Sequence, residues 1–280
     1  MKTVTSAALL RETLAPWRAA GERIALVPTM GALHAGHLSL VALARGKAAR
    51  VVATVFVNPK QFGPQEDFGK YPRDLEGDAR KLAAGGVDVL FAPPVEEIYP
   101  PGFATTVHVA GVSEGMEGAR RPGHFDGVAT VVARLFGLVL PDMAVFGAKD
   151  GQQVAVIKRL TADLGLPIDI LLGETQREPD GLALSSRNAY LNAEERRAAP
   201  ALFRALLAGQ LIHGLGEKRS DKILGAVRMA LTAEPLVRLD TLDLVDAETM
   251  QPVARVSRRV MLAVAAYLGK TRLIDNVRFG

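Results

Sequence analysis

The chain of 280 residues contains no cysteine, which excludes a disulfide framework. Aromatic residues are scarce, at 5%, and no basic run is interleaved with them to form a stacking platform for single-stranded nucleic acid. No apolar run approaches the ~20 residues of a membrane span. Arg134 interrupts the run Val128–Leu140, and the run Val260–Leu268 is too short. Excess charge is also small, because 34 Lys and Arg balance 30 Asp and Glu, and this slightly basic balance suits acidic small molecules as well as nucleic acid.

Composition and the first residues indicate a cytoplasmic globular protein. Hydrophobic residues make up 49% of the chain and charged residues 23%, an ordinary balance for a globular fold. The N-terminus has one lysine and a brief apolar patch, Ala7–Leu10, before Arg11 and Glu12, which is not the pattern of a secretory signal. We therefore expect a cytoplasmic location, with neither a membrane nor a nucleic acid as partner.

Apolar segments of strand length alternate with helical patterns up to about residue 172. Strand candidates are 24–27, 51–57, 87–91, 143–146 and 168–172. Helix candidates are 38–47, 74–84, 128–140 and 152–163. This alternation predicts an α/β fold with a doubly wound parallel sheet, which binds ligands at the carboxyl ends of its strands.

The pattern changes after about residue 175. Helical stretches at 193–213 and 220–232 precede an alternating segment, 239–245, and an apolar run, 259–268. We expect a first domain over residues 1–175, and a smaller α+β domain over residues 176–280.

The most informative segment, Pro28–Leu40, follows the apolar strand candidate Ile24–Val27. A helix that starts near Leu33 would carry His34 and His37 on one face of its first turn. Free backbone N–H groups and the positive end of the helix dipole favour a phosphate at this position. The segment therefore predicts a nucleotide phosphate site.

Two glycines support this interpretation, and two alternatives compete with it. Gly31 marks the turn after the strand, and Gly36 would let a ligand approach the backbone closely. The histidines could instead be solvated or cap the helix, or they could share a zinc ion. The remaining histidines show no ligand spacing that would complete a zinc site: His108, His124 and His213.

Polar side chains also follow two other strand candidates. Asn58 and Gln61 offer donors and acceptors suited to a substrate with hydroxyl and carboxylate groups, although capping of a turn explains them equally well. Lys149 and Asp150 follow Gly147, where the lysine would reach phosphates and the carboxylate could hold Mg²⁺ directly or through water. The alternative is a surface ion pair.

Two loops have weaker signals. In the first, Arg120, Arg121 and His124 could reach a phosphate or could lie in a solvated loop, and Asp126 is expected to be the N-cap of the next helix. In the second, Ser185 and Ser186 precede Arg187, a combination that binds phosphate oxygens but also caps helices.

Seven segments together resemble the pantothenate synthetase (pantoate-beta-alanine ligase) family, in order and over most of the chain. They are Pro28–Leu40, Phe56–Phe62, Tyr71–Arg73, Arg121–Val132, Phe146–Gln153, Asp180–Asn188 and Arg272–Asn276. The resemblance implies the Rossmann-like nucleotidyltransferase fold, Mg²⁺, a homodimer, and a ligase that uses ATP to join D-pantoate to beta-alanine. The implied route forms pantoyl-adenylate with release of pyrophosphate, and then transfers the pantoyl group to the amine with release of AMP.

The resemblance also implies roles for individual residues. ATP contacts are implied for Met30, Gly31, Ala32, Leu33, His34, Ala35, Gly36, His37, Gly147, Ala148, Lys149, Asp150, Gln176, Leu184, Ser185, Ser186 and Arg187. Pantoate contacts are implied for Gln61 and Gln153, a beta-alanine contact for Gln61, and the role of proton donor for His37. This chain departs from the family at three positions. It has Ala148 where the family usually has Glu, Gly151 where the family usually has an aromatic residue, and Gln176 where the family usually has Val.

The chemistry explains why such residues are needed. One anion must attack another, so His34, His37, Lys149, Arg187 and Mg²⁺, with Asp150 as its candidate ligand, would neutralise charge around the phosphates. A closing second domain that carries the Ser185–Arg187 loop would keep the adenylate from water. The nearest alternative is a nucleotidyltransferase, which would release pyrophosphate but keep the nucleotide in its product. A nucleic-acid-binding protein is a more distant one.

Overall fold

The described chain forms the parallel sheet that the sequence predicts, with six strands rather than the five strand candidates. The computed structural model describes residues 1–64 and 68–280. The strands are β1 (Lys2–Val4), β2 (Ile24–Thr29), β3 (Arg50–Val55), β4 (Val89–Phe91), β5 (Met143–Gly147) and β6 (Asp169–Gly173), in the spatial order β1-β4-β3-β2-β5-β6. Three further strands form a separate antiparallel sheet, namely β7 (Val237–Asp246), β8 (Val260–Leu268) and β9 (Thr271–Phe279).

Helices connect the strands of the parallel sheet and accompany the smaller one. They are α1 (Ala7–Ala19), α2 (Ala35–Arg45), α3 (Leu75–Ala84), α4 (Val95–Ile98), α5 (Met116–Arg120), α6 (His124–Val139), α7 (Gly151–Asp163), α8 (Ala193–Ala198), α9 (Ala201–Gly214) and α10 (Ser220–Thr232). Among the residues described, no helix is both long and apolar enough to cross a bilayer.

Several elements differ from the expectation. Strand β1 and helix α1 were not predicted. The strand has only three residues, too few to show a period, and Pro16 lies inside the helix and obscures its pattern. The helix expected over 193–213 is two helices, α8 and α9, because Pro200 interrupts it. Strand β9 was not expected.

The expected N-cap Asp126 is wrong. Helix α6 begins at His124, and its N-cap is Gly123, whose φ of 80° lies in the left-handed region that glycine tolerates. Asp126 lies in the first turn, and its carboxylate is 2.8 Å from Nδ1 of His108.

The strand order reverses direction beside β2. From β2 the chain moves to β3 and β4 on one side, and then crosses to β5 and β6 on the other. A crevice at the carboxyl ends of the strands is typical of such a topological switch point and is where α/β sheets bind ligands. The segments that follow β2 and β5 are those that begin with Met30 and Ala148.

The chain divides into two compact units by its internal contacts. Unit 1 comprises residues 1–110, 118–148 and 156–174, and unit 2 comprises residues 111–117, 149–155 and 175–280. The functional division at residue 175 into a nucleotide- and substrate-binding domain and a lid stays a prediction.

Each unit has its own apolar core. In unit 1, helix residues such as Val41 and Leu82 pack with strand residues such as Val27, Ala53 and Val145, all of which are fully buried. In unit 2, the core joins α9 and α10 to the antiparallel sheet. The continuous apolar runs of β2 and β3 are buried on both faces, as a parallel sheet requires.

A buried carboxylate closes the turn after β7. Asp246 is 2% exposed, and its Oδ1 accepts hydrogen bonds from the backbone N–H groups of Glu248 (3.1 Å) and Thr249 (2.8 Å) and from the Thr249 hydroxyl (2.9 Å). Its Oδ2 pairs with Arg258 at 2.5 Å. Burial alone would raise the pKa of Asp246, but these hydrogen bonds and the Arg258 charge outweigh it and lower the pKa below its usual value of 3.8.

We expect Asp246→Asn to destabilise the protein by about 2 kcal/mol at neutral pH, because the ion pair with Arg258 is lost and the remaining hydrogen bonds go to a neutral amide. A carboxylate with a lowered pKa stabilises the fold above its ordinary pKa of 3.8 and loses that contribution as the pH falls through the lowered value. Urea unfolding at several pH values should therefore show a difference in the free energy of unfolding between wild type and variant. This difference should become smaller as the pH falls below 3.8. A difference of constant size would contradict this explanation. Asp221→Asn is the control, because Asp221 is exposed and its ion pair with Arg219 should contribute much less to stability.

Candidate active site

The loop after β2 is held by a buried carboxylate from α3. Asp78 is 1% exposed, and its two oxygens accept hydrogen bonds from the N–H groups of Ala32 and Leu33, both at 2.8 Å. Gly31 and Ala32 have φ values of 84° and 51°, so the chain turns sharply here. A Cβ atom at Gly31 would lie 3.0 Å from Asp78 Oδ2 and 3.1 Å from Val55 Cγ1, so a side chain has little room.

The two predicted histidines cap the helix that follows this loop. Helix α2 begins at Ala35, two residues after the start expected near Leu33 and three before the helix candidate 38–47, and His34 is its N-cap. Nδ1 of His34 accepts a hydrogen bond from the N–H of Gly36 (3.2 Å), and Nδ1 of His37 accepts one from the N–H of His34 (3.3 Å). The ring centroids are 4.1 Å apart, so the two side chains form one unit at the helix terminus.

These contacts determine which ring nitrogen carries the proton. A neutral imidazole whose Nδ1 accepts a hydrogen bond must be protonated on Nε2. Both His34 and His37 therefore present an Nε2–H donor. Backbone N–H groups of this loop form hydrogen bonds within the protein. The N–H of Gly31 donates to Thr29 Oγ1 (3.2 Å), and the N–H groups of Ala32 and Leu33 donate to Asp78. The ring Nε2–H groups, rather than these amides, are the donors suited to a phosphate.

A buried amide pair lies after β3. Asn58 is 1% exposed, its Nδ2 donates to Gln61 Oε1 (3.1 Å), and its Oδ1 accepts from the Lys60 N–H (3.2 Å) and the Tyr99 hydroxyl (2.8 Å). Burial raises the pKa of Tyr99, which keeps this hydroxyl protonated as a donor. Asn58 thus caps the turn and also orients Gln61, whose Nε2 lies 3.0 Å from Sδ of Met30. The segments after β2 and β3 meet here.

The Arg121 and His124 side chains support the same turn. Nδ1 of His124 donates to the carbonyl of Gln61 at 2.8 Å, and its Nε2 then accepts from Arg121 at 3.2 Å. Gly127 in α6 leaves no room for a Cβ atom beside the carbonyl of Lys60. This loop is therefore not simply solvated, because its side chains hold the backbone of Gln61.

The segment after β5 begins in unit 1 and continues in unit 2. The Ala148 N–H donates to the carbonyl of Gly173 in β6 (2.8 Å). Lys149 is half-buried and its carbonyl accepts a hydrogen bond from Asn276 Nδ2 (2.8 Å), whereas Asp150 is exposed. The described part of the chain contains no group of three or more His, Cys, Asp or Glu side chains arranged to hold a metal.

Two adjacent glutamines at the start of α7 have different environments. Gln152 is 4% exposed, and its amide bonds the carbonyls of Val112 (3.0 Å) and Gly115 (2.8 Å) and the N–H of Glu117 (3.0 Å). Gln152 thereby holds the segment 111–117 in place. Gln153, the predicted substrate contact, is half-buried.

The structure explains one departure from the family pattern. A Cβ atom at Gly151 would collide with Sδ of Met261 and lie 3.3 Å from Arg278 Nη2 and 3.4 Å from Asn276 Nδ2. The thioether of Met261 therefore occupies space that an aromatic side chain at this position would need. Glycine and methionine are complementary here.

The loop with the two serines is tied to β9. Arg177 makes a bidentate ion pair with Asp275, at 2.6 and 2.9 Å, and its guanidinium lies 3.6 Å over the ring of Phe203. Ser185 caps the 3-10 helix Ser186–Tyr190 by accepting from the N–H of Arg187 (3.3 Å). The capping interpretation of Ser185 is thus confirmed, and the other predicted residues of this loop, Leu184, Ser186 and Arg187, are half-buried.

Within unit 2, one pocket brings predicted residues of two segments together. Its polar lining comes from Lys149, Ser185, Asn188 and Asp275, and its apolar lining includes Leu182 and Phe203. Gln176 contributes its carbonyl to the N–H of Leu184 at 2.9 Å, while its side chain is exposed, so the departure at this position changes little inside the loop.

Sequence reasoning missed the residues that position these segments. Asp78 lies four residues before Leu82 and therefore on the buried face of α3. An acidic residue on a buried helix face indicates a buried partner, and this was the signal available in the sequence. Asp275 and Asn276 are consecutive and both buried, which breaks the alternation of a strand with one solvated face. Their partners are distant in the chain, and no local pattern identifies them.

Comparisons with known proteins agree over the whole chain. A family model described as pantoate-beta-alanine ligase matches residues 2–278. A pantothenate synthetase of Moorella thermoacetica is 52% identical over 99% of this chain and 98% of its own. The crystal structure of pantothenate synthetase from Thermus thermophilus matches with a TM-score of 0.94, at 51% identity and with 99% of each chain covered. The pantoate-beta-alanine ligase of Francisella tularensis, complexed with beta-gamma ATP and beta-alanine, matches with a TM-score of 0.80, at 32% identity and with 99% and 97% covered.

We expect Asp78→Asn to loosen the loop from Met30 to His34, called the histidine loop below. One of its two backbone N–H groups bonded to Asp78 would lose its acceptor, at a cost of about 1–3 kcal/mol. Hydrogen exchange should quicken at the amides of Ala32 and Leu33. The control is Asp142→Asn, which removes a carboxylate that accepts from the N–H of Ile24 (2.7 Å) at the amino end of β2, the end opposite to this loop. Exchange that quickens equally over 31–37 in both variants would show that Asp78 has no local role.

The histidine tautomers can be measured by ¹⁵N NMR of the labelled protein near pH 8. His34 and His37 should both show an unprotonated Nδ1 and a protonated Nε2. His124 is an internal control with the opposite tautomer, because its Nδ1 faces the carbonyl of Gln61. A protonated Nδ1 in either His34 or His37 would contradict the capping arrangement.

Proposed function

The chain belongs to the pantoate-beta-alanine ligase family and is a ligase that uses ATP to join pantoate to beta-alanine, forming pantothenate; we propose that the capped pair His34 and His37 binds the ATP phosphates. The observation that carries this proposal is the capping box, in which both Nδ1 atoms accept backbone hydrogen bonds and both Nε2–H groups become donors. These donors sit at a helix N-terminus, where the dipole favours negative charge. His37 is assigned the role of proton donor.

In the first step, the carboxylate of pantoate attacks the α-phosphorus of ATP and pyrophosphate leaves. A carboxylate is already ionised at neutral pH, so this step needs orientation and charge stabilisation rather than a general base. We assign Gln61 to the pantoate carboxylate and hydroxyl groups, because Asn58 fixes its amide and His124 fixes its carbonyl. The loop Met30–His37 is assigned to ATP.

Unit 2 supplies the cations of the proposal. Lys149 and Arg187 are assigned to phosphate oxygens, with Ser185 and Ser186 as hydroxyl donors. Lys149 and Ser185 line the same pocket of unit 2, so the two segments to which these roles are assigned lie side by side. We also assign ATP contacts to four further residues of these segments, namely Gly147, Ala148, Gln176 and Leu184. Gln153 is assigned to pantoate.

Mg²⁺ is part of the proposal, with Asp150 as its protein ligand. Mg²⁺ characteristically keeps several waters and takes one or two carboxylates together with substrate phosphates. An exposed carboxylate next to Lys149 fits this donor set. The ion would supply neutralisation of phosphate charge.

In the second step, the amine of beta-alanine attacks the acyl carbon of pantoyl-adenylate and AMP leaves. The amine must be neutral to attack, and the adenylate must be protected from water. We assign Gln61 to beta-alanine as well. The homodimer, the cytoplasmic location and the lid role of residues 176–280 stay predictions.

Product release tests the function and its site together. With ATP and Mg²⁺, D-pantoate alone should release pyrophosphate once per active site, and AMP should appear continuously only when beta-alanine is added. His37→Ala should slow single-turnover adenylate formation about tenfold or more, because one hydrogen-bond donor to the ATP phosphates is lost. Gln61→Ala should raise the pantoate concentration required and leave ATP binding nearly unchanged.

His108→Ala is the matched control, since His108 is exposed and pairs only with Asp126 among the contacts described for it. Its rate should equal that of the wild type. Pyrophosphate without amine-dependent AMP would indicate a nucleotidyltransferase, whereas normal turnover by His37→Ala, with its circular dichroism unchanged, would remove the histidine pair from the mechanism.

A further inference from the structure

Strand β9 contains two consecutive buried polar residues for which the reaction provides no role. Asp275 is 4% exposed and Asn276 is 7% exposed. Consecutive residues of a strand point to opposite faces, so these side chains need partners on both sides of the antiparallel sheet. Both find partners in segments to which ATP contacts are assigned.

On one side, Asn276 holds the segment that contains Lys149. Its Nδ2 donates to the carbonyl of Lys149 at 2.8 Å. That carbonyl belongs to the peptide bond between Lys149 and Asp150, so the hydrogen bond restrains the backbone from which both side chains extend. The amide also lies beside Gly151, where a Cβ atom would be 3.4 Å from Nδ2.

Asp275 holds the loop that leads to Arg187. Its carboxylate receives both arms of the Arg177 guanidinium, and Arg177 also donates to the carbonyl of Gly181 at 3.1 Å. An isolated antiparallel β-bridge between Arg177 and Ala183 closes this loop two residues before Ser185. A buried bidentate pair fixes geometry more strictly than a single contact does.

We propose that β9 is a positioning element for adenylate formation, in which Asn276 sets the backbone of Lys149 and Asp275, through Arg177, sets the Ser185–Arg187 loop. The inference rests on the proposed roles of Lys149 and Arg187. Neither Asp275 nor Asn276 contacts substrate in this scheme, and each acts through the residue it holds. One strand thereby fixes the spacing of two phosphate-binding segments within unit 2.

A double-mutant cycle tests the Asn276 link. Asn276→Ala should slow single-turnover adenylate formation about tenfold and raise the KM for ATP, but not the KM for pantoate, because a small misplacement of a catalytic group is costly. In a Lys149→Ala background, Asn276→Ala should add less than about a twofold effect, since it acts through a side chain that is already absent. Asn276→Asp, which keeps the shape and cannot donate at pH 8, serves the same purpose if the alanine variant does not fold.

The control for general destabilisation is Asp246→Asn, in the same unit. It should lower thermal stability and leave the rate of adenylate formation unchanged in both backgrounds. Multiplicative effects of Asn276→Ala and Lys149→Ala, or a normal rate for Asn276→Ala when Lys149→Ala is slow, would overturn the inference alone. A normal rate for Lys149→Ala would instead overturn the proposed role of the lysine, and the inference with it.

The Asp275 link is tested by the same design. Arg177→Lys keeps the charge beside Asp275 but loses the bidentate fork, so it should slow adenylate formation about tenfold in the wild type. It should add little in an Arg187→Ala background. Equal effects in both backgrounds would show that the Arg177–Asp275 pair stabilises the fold without positioning the loop.

Discussion

The buried carboxylate of Asp78 is the contact on which the histidine loop depends. It satisfies two backbone N–H groups in a turn where Ala32 adopts a left-handed conformation that an alanine does not favour. Without that acceptor, the N–H groups of Ala32 and Leu33 would lose their partners directly before His34, the N-cap of α2. The carboxylate therefore supports the segment that carries the proposed phosphate-binding histidines.

The same device recurs elsewhere in the molecule. Asn58 caps its own turn and orients Gln61, Gln152 holds the segment 111–117, and Asn276 holds the carbonyl of Lys149. In each case a buried polar side chain bonds the backbone or side chain of a segment that lies outside the strands and the long helices. Loops are the most mobile parts of a fold, so precise chemistry on a loop requires restraint of this kind.

The sequence predicted what local patterns encode. The strands β2, β3 and β5 are apolar runs, and their carboxyl ends indicated where polar side chains would gather. Strand β9 was not expected because Arg272, Asp275 and Asn276 interrupt its apolar pattern, and these residues are polar because their partners, Glu117, Arg177 and Lys149, lie elsewhere in the chain. Likewise, Gly151 could be recognised as a departure from the family, but the compensating Met261 is 110 positions later and becomes evident only from the collision at Cβ.

The histidine geometry also restricts the source of positive charge. An imidazole that accepts a hydrogen bond at Nδ1 cannot be protonated there without losing that bond, so a cationic His34 or His37 would break the cap that orients it. The pair is therefore suited to donate hydrogen bonds through Nε2–H, and its expected roles in charge neutralisation and, for His37, in proton donation stay predictions. Under the proposed function, Lys149, Arg187 and Mg²⁺ would supply the neutralisation of the ATP phosphates. A lysine side chain is flexible, so the hydrogen bond from Asn276 to the carbonyl of Lys149 would give its charge an anchored backbone from which to act at a defined place.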